Sequence, residues 1–196
     1  MKKVLIVLLC LMTVSFKPAD ERILFIGDSL TAYKGGWQHQ LAKMRFEEYD
    51  NISKGGKRTK WMLDQLKKYP LNANRYNEVI IYGGINDSFS FVDEDVTVRN
   101  IQEMVYIAKK MGAHPIVIIG YNPEKVVKNT IYSKEVEARC RDRYISLQRR
   151  LQTELKWCTI VPMENQINRS DSDDGIHLKA SGHSKFSKWV YENLEL

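Results

Sequence analysis

Short apolar runs alternate along this chain with longer amphipathic stretches, and this alternation limits the possible folds more than any other feature. Three runs contain four consecutive apolar residues each and lie within 22–27, 78–83 and 115–120. Unbroken runs of branched apolar residues are typical of strands that are buried on both faces. Two weaker strands are predicted at 49–53 and 158–161.

The stretches between these strands have apolar residues at helical spacing. The predicted helices span 37–49, 61–69, 96–108, 133–155 and 180–194. Because helices separate successive strands, the pattern predicts a three-layer α/β/α sandwich with a central, mostly parallel sheet. A chain of 196 residues suits one domain of this kind.

The first fifteen residues differ from the rest. A basic start at Met1–Lys3 is followed by an apolar run from Val4 to Val14 and then Ser15. This layout predicts a signal peptide over 1–15, followed by one domain over 16–196. A buried N-terminal strand or helix is the alternative. Leu9 is too large to precede a lipidated Cys10, so we expect a secreted or periplasmic protein and no stable membrane insertion after cleavage.

The formal net charge is +6, and removal of Lys2 and Lys3 with the leader leaves a mildly basic domain. The one local cluster of basic residues is Lys54, Lys57, Arg58 and Lys60. We interpret it as a solvated loop and helix start, and we predict no nucleic-acid partner.

The cysteines and acidic clusters indicate no metal or cofactor. Cys140 and Cys158 can either pair or stay free in an oxidising compartment, and their spacing fits no zinc motif. The acidic stretch at 171–175 lacks the alternating ligands and distal Glu of a calcium loop.

Two polar residues come directly after predicted strands. Ser29 follows the first strand, and Asn86 follows the strand at 78–83. Because parallel strands end at the same edge of a sheet, both residues should lie on that edge, where such folds bind ligands. Taken singly, Ser29 fits a helix N-cap and Asn86 fits an Asx turn.

A base and an acid lie close together near the C-terminus. His177 can accept the Ser29 proton, while Asp174, three residues earlier, can hold the other ring nitrogen. Alone, His177 fits a surface histidine equally well. The glycine pair Gly55–Gly56 offers backbone N–H groups that a ligand can approach closely.

Together these segments resemble the SGNH or GDSL hydrolase family. The matching blocks are Gly27-Asp28-Ser29-Leu30, Asn51 to Thr59, Gly84-Ile85-Asn86-Asp87 and Asp174-Gly175-Ile176-His177. The resemblance implies a flavodoxin-like domain that hydrolyses esters without a cofactor. It implies that Ser29 is the nucleophile, His177 the base and Asp174 its partner. It also implies an oxyanion hole formed by Ser29, Gly56 and Asn86, with Gly55 as the alternative glycine. Lys57 departs from the Asp or Asn that is frequent there.

These features predict a serine esterase for short acyl groups on a small-molecule or glycan ester, first of all acetylated carbohydrate or cell-wall glycan. The alternatives are a lipid or lysophospholipid esterase, an O-acyltransferase and a non-catalytic carbohydrate-binding module. Tyr33, Tyr121 and the segment 121–133 are predicted to line the cleft, Trp37 to line it or lie in the core, and His183 to be structural.

Overall fold

A computed structural model of the chain describes residues 22–69, 75–126 and 133–194. The predicted signal peptide, residues 1–15, lies outside these residues.

The described residues form a five-stranded parallel sheet in the order β2-β1-β3-β4-β5. The strands are β1 (Arg22–Gly27), β2 (Glu48–Asn51), β3 (Glu78–Tyr82), β4 (His114–Ile118) and β5 (Thr159–Val161). The prediction of a parallel sheet between helical layers is confirmed.

Helices cover both faces of the sheet. They are α1 (Ser29–Ala32), α2 (Trp37–Arg45), α3 (Thr59–Lys68), α4 (Ile85–Phe89), α5 (Glu94–Lys110), α6 (Pro123–Val126), α7 (Lys134–Glu154) and α8 (Ala180–Leu194), with a short 3₁₀ helix at Arg169–Asp171. α2 packs against α8, whereas α3 and α7 both pack against α5. None of these helices is both long and apolar enough to span a bilayer, within the part of the chain that is described.

Burial of the strands explains their composition. The residues of β1 from Ile23 to Ile26 and those of β3 from Val79 to Tyr82 are almost fully inaccessible to water. Removing branched apolar side chains from water on both faces is the main stabilisation of such a sheet.

The C-terminal boundary of the first predicted helix is wrong. We expected a helix over 37–49, but α2 ends at Arg45 and Phe46 closes it in the left-handed region, with φ 56°. The chain then extends, because Glu48–Asn51 pairs with β1 as a parallel strand. The weak strand predicted at 49–53 therefore exists, slightly earlier in the chain.

Candidate active site

Ser29 lies in a tight turn between β1 and α1. A Cβ atom at Gly27 would lie 2.5 Å from the Tyr82 carbonyl oxygen, so only glycine fits there. Asp28 is the N-cap of α1, and its Oδ1 accepts a hydrogen bond from Leu30 N at 3.0 Å. Ser29 is therefore the first residue of α1 and not its cap. The turn holds the Ser29 hydroxyl at the carboxyl edge of the sheet.

The structure brings Ser29, His177 and Asp174 together. His177 Nε2 lies 2.9 Å from Ser29 Oγ, although 148 residues separate them in the chain. His177 Nδ1 lies 2.6 Å from Asp174 Oδ2. The ring therefore connects a hydroxyl to a carboxylate, and both the His177 and Asp174 side chains are about half exposed, at 48% and 53%.

The Asp174 carboxylate also fixes its own loop. Its Oδ1 accepts hydrogen bonds from Ile176 N at 2.8 Å and from His177 N at 2.7 Å. Burial acts to raise the pKa of Asp174, but the hydrogen bonds from His177 and Ile176 outweigh it and hold this pKa below its usual value. The carboxylate consequently stays ionised and favours a proton on His177 Nδ1.

A buried tyrosine braces the same loop from behind. The Tyr121 hydroxyl donates a hydrogen bond to the Ile176 carbonyl. Tyr121 is only 2% exposed, so the prediction that it lines the cleft is wrong. Its ring lies at the carboxyl end of β4, where it contacts Phe186 of α8.

Asn86 lies in the first turn of α4, two residues after the Gly84 N-cap with φ 111°. Its Nδ2 donates to Asp28 Oδ2 at 3.2 Å and to the Lys57 carbonyl at 3.1 Å. Asn86 thus connects the turn that carries Ser29 with the segment that carries Gly55 and Gly56.

The glycine pair lies beside the nucleophile. A Cβ at Gly55 would lie 3.7 Å from Ser29 Cβ, in ordinary contact. Gly56 adopts φ 70°, a conformation that favours glycine, and a Cβ there would meet open space. Gly55 therefore packs on Ser29, while a side chain at Gly56 would project into open space.

A buried cluster that the sequence did not reveal holds this segment in place. Asp87 accepts hydrogen bonds from Thr59 N at 2.9 Å and from Thr59 Oγ1 at 2.6 Å. Asn100 Nδ2 donates to the same Thr59 hydroxyl at 3.0 Å. Asp87 is adjacent to Asn86 in the sequence, and that adjacency was the one signal for its part in the site.

Asp28 is an ionisable side chain in a fully buried position. Burial raises the pKa of Asp28 to about 7, although the Leu30 N–H, His177 and Asn86 act to lower it. Its side chain is fully buried beneath Ser29. Burial also raises the pKa of the neighbouring Asp87.

A cleft of about 490 Å³ opens beside Ser29 and His177. Its polar lining includes Tyr33, Lys34, Gln40, Asp173, Lys179 and His183. Tyr33 was predicted to line the cleft, and the structure confirms it, whereas Trp37 is fully buried in the core. Residues 127–132 of the predicted cleft wall lie outside the described residues.

His183 has a structural role at this cleft, as the sequence indicated. Its Nδ1 accepts a hydrogen bond from Trp37 N at 3.2 Å, at the start of α2. Its ring stacks on Tyr33, with the centroids 5.2 Å apart. Burial lowers the pKa of His183, which favours the neutral ring that this acceptor role requires.

The sequence also raised the possibilities of a disulfide bond and of a metal site. Cys140 and Cys158 are both free thiols. Across 22–69, 75–126 and 133–194, no cluster of three or more His, Cys, Asp or Glu side chains is arranged to hold a metal ion.

This fold and this group of side chains define a hydrolase of the GDSL/SGNH class. The profile of the GDSL-like lipase/acylhydrolase family matches residues 25–185, so the chain belongs to that family and is an enzyme of its ester-hydrolysing type. Among curated proteins, none is similar enough in sequence to match.

Solved structures of the same class share the fold. A GDSL-like lipase from Bacteroides thetaiotaomicron is 19% identical, with a TM-score of 0.67 over 90% of this chain and 88% of the other. A member of the lipolytic G-D-S-L family from Veillonella parvula is 13% identical, with a TM-score of 0.65 and coverage of 88% and 97%. A mutant acetyl-xylooligosaccharide esterase from Geobacillus Stearmophilus is 15% identical, with a TM-score of 0.65 and coverage of 90% and 94%.

Proposed function

We propose that this protein hydrolyses short acyl esters of carbohydrate through Ser29, His177 and Asp174. The observation that carries the proposal is the continuous hydrogen-bonded chain, at 2.9 Å between Ser29 Oγ and His177 Nε2 and at 2.6 Å between His177 Nδ1 and Asp174 Oδ2. A serine hydroxyl is a weak nucleophile until a base takes its proton, and this arrangement supplies the base.

The reaction has two stages. As Ser29 Oγ attacks the ester carbonyl carbon, its proton passes to His177 Nε2, and the imidazolium is stabilised by Asp174. The ester C–O bond then breaks, and the alcohol leaves with that proton. A water molecule next gives a proton to His177 and attacks the acyl carbon. The acyl–Oγ bond breaks, the acid is released and Ser29 regains its proton.

We assign the oxyanion hole to the Ser29 N–H, the Gly56 N–H and the Asn86 amide. The positive φ of Gly56, 70°, which favours glycine at that position, supports Gly56 over Gly55. The hydrogen bond from Asn86 to Asp28, at 3.2 Å, is the longer of its two. The Asn86 amide would share one of these two hydrogens with the oxyanion. Fixed donors of this kind stabilise the charge that develops in the transition state.

The lining of the cleft favours a sugar as the alcohol part. Most of its lining residues carry polar or charged groups, and the aliphatic ones are Leu30, Leu178 and Ala180. Hydroxyl groups of a sugar find hydrogen-bond partners there, and the C–H faces of a sugar match the apolar part of the lining. The half-exposed His177 ring is open to water, which supports hydrolysis over transfer to a second sugar.

We also propose that the protein acts outside the cytoplasm. The basic start, the apolar run and the small residues of 1–15 support export by a signal peptide.

The nucleophile is tested by Ser29→Ala. This variant should lose turnover of p-nitrophenyl acetate and labelling by a fluorophosphonate, with an unchanged melting temperature. Ser88→Ala is the matched control, because Ser88 is a buried serine that follows Asn86 by two residues and its hydroxyl donates to the Gly84 carbonyl. Turnover that persists in Ser29→Ala would show that another group is the nucleophile.

The substrate class is tested by product release. Acetate release from acetylated xylan and other acetylated glycans should exceed hydrolysis of lysophospholipid and long-chain p-nitrophenyl esters at equal concentrations of ester bonds. A clear preference for long acyl chains would contradict the carbohydrate assignment and leave the role of Ser29 intact.

A further inference from the structure

A second cavity lies at the opposite edge of the sheet from Ser29. It has a volume of about 360 Å³ and lies between the C-terminal end of α5 and the segment that joins α7 to β5. We call it the Trp157 groove. The residues that matter for its chemistry are Gln102, Tyr106, Lys109, Glu154, Lys156 and Trp157. Both α5 and this segment lead into the amino ends of strands, whereas Ser29 follows a carboxyl end.

Two aromatic rings are exposed in the groove. Trp157 is 77% exposed and Tyr106 is 53% exposed. Burial of such large rings is favourable, and these rings are not buried. A ligand that covers them would therefore gain binding free energy from removing their apolar surface from water.

The backbone of Trp157 is unusual as well. It adopts φ 62°, in the left-handed region that bulky residues rarely occupy. Phe46 has a similar φ, but it is the C-cap of α2, and its backbone N–H donates to carbonyls of that helix. Phe91 also has positive φ, and two arginine guanidiniums, of Arg139 and Arg143, cover its ring. Strain of this kind persists at binding sites when it aims a side chain at a ligand.

The groove keeps a positive charge from its lysines, because the Glu154 carboxylate in its lining is already paired with an arginine. Arg150 donates two hydrogen bonds to Glu154, from Nε to Oε1 at 2.6 Å and from Nη2 to Oε2 at 3.0 Å. Among the described residues, Lys109 and Lys156 form no ion pair, and the Lys109 ammonium lies 5.9 Å from the centre of the Trp157 ring. An anionic group placed beside the Trp157 ring would therefore meet an uncompensated cation.

We propose that the Trp157 groove binds an acidic oligosaccharide, with a sugar ring packed on Trp157 and its carboxylate paired with Lys109 or Lys156. The apolar C–H face of a sugar fits an indole ring, its hydroxyls suit the Gln102 amide, and a carboxylate matches the free ammonium groups. The volume lies at the small end of ordinary ligand pockets, which suits one to two sugar units. The proposal does not depend on the chemistry at Ser29.

Other occupants fit the groove less well. In a symmetric dimer formed through this face, Lys109, Lys110 and Lys156 of both copies would meet. A membrane surface would meet the Glu154 carboxylate and could not enter a concave groove, whereas an oligosaccharide could.

The test is affinity gel electrophoresis of the full protein with polygalacturonate or neutral xylan in the gel. Polygalacturonate should retard the wild type strongly, and xylan should not. Trp157→Ala should bind polygalacturonate about tenfold more weakly, which a ring that stacks on the ligand accounts for. Because this change leaves the charge unaltered, the loss separates a built site from general attraction of a basic protein to a polyanion. Lys109→Gln should weaken binding more than Lys188→Gln, which removes an exposed lysine of α8.

The control for the ring is Phe46→Ala. Phe46 is an aromatic residue outside the groove that is 93% exposed and also has a positive φ. It should bind as the wild type does, and all four variants should keep wild-type turnover of p-nitrophenyl acetate. Trp157→Gly relieves the strained φ and keeps the test valid if the alanine variant is unstable. Equal retardation of wild type and both Trp157 variants overturns the proposal. It is also overturned if Trp157→Ala converts a dimer to a monomer in sedimentation, or if anionic phosphatidylglycerol vesicles bind and polygalacturonate does not.

Discussion

At the scale of single residues, each nitrogen of His177 has one partner. Asp174 Oδ2 lies against Nδ1, and Ser29 Oγ lies against Nε2. An ionised Asp174 keeps the proton on Nδ1, so Nε2 is free to accept from the hydroxyl. One carboxylate thereby selects the ring tautomer that the proposed reaction needs.

Asn86→Ala tests the proposed oxyanion hole. Loss of one fixed donor should lower kcat by about 10²–10³-fold and change KM little, because the donor acts on charge that develops after binding. Steady-state kinetics with p-nitrophenyl acetate measure both constants. Asn193→Ala is the control, since the Asn193 amide donates to the Trp189 carbonyl within α8 and Asn193 does not line the cleft. A change confined to KM would argue against the assignment.

Asp28 should give the stability of the fold a dependence on pH. Burial raises its pKa to about 7 in the folded chain, whereas an unfolded aspartate has a pKa of about 4. Between these values the folded state holds a proton that the unfolded state has released. This group therefore contributes most stability below pH 4, and its contribution falls as pH rises towards 7.

The expected result is that the unfolding free energy of the wild type falls relative to that of Asp28→Asn between pH 4 and pH 7. Urea denaturation at several pH values measures it. Ser88→Ala supplies a reference curve for a neutral substitution nearby. Parallel curves for wild type and Asp28→Asn would show that Asp28 ionises normally.

At the scale of elements, the site depends on the loop from the 3₁₀ helix to α8. Tyr121 at the end of β4 holds this loop through the Ile176 carbonyl, one residue before His177. Tyr121→Phe keeps the ring and removes the hydrogen bond. We expect a loss of about 1 kcal/mol in unfolding free energy and a lower kcat, because the loop that carries Asp174 and His177 is less constrained.

Tyr144→Phe is the matched control for that experiment. Tyr144 is another buried tyrosine, on α7, and it does not bond to the loop. Thermal melting and kcat for both variants separate a general loss of stability from a local one. If both variants lose kcat equally, the hydrogen bond of Tyr121 has no special role at the site.

The strands and the positions of Ser29 and Asn86 could be predicted because burial leaves a clear pattern and because parallel strands end together. The four sequence blocks also brought Asp174 and His177 into the prediction. Three features could not be predicted: the left-handed end of α2 at Phe46, the brace from Tyr121, and the bonds from Thr59 to Asp87. The Tyr121 brace and the Thr59–Asp87 bonds each depend on a partner that is distant in the chain. The left-handed φ at Phe46 is a local dihedral at a residue type that rarely adopts it, and no apolar periodicity reports it.

At the scale of the whole molecule, the first element that the structure describes is β1, which starts at Arg22. Because the sequence predicts a signal peptide over 1–15, a chain of residues 16–196 should melt at the same temperature as the full chain and have the same kcat/KM for p-nitrophenyl acetate. Calorimetry and kinetics on the two chains measure this. A chain of residues 28–196, which lacks β1, should fail to fold and serves as the control. Lower stability of 16–196 would assign the first fifteen residues to the folded domain.

The distance of 148 residues between Ser29 and His177 has a consequence for synthesis of the chain. Until the ribosome adds residue 177 of 196, the growing polypeptide has the Ser29 hydroxyl but lacks the His177 imidazole. In the proposed mechanism, hydrolysis begins only when the loop that carries His177 has closed and α8 has docked on α2. The first turnover observed during refolding therefore marks the completion of the tertiary structure.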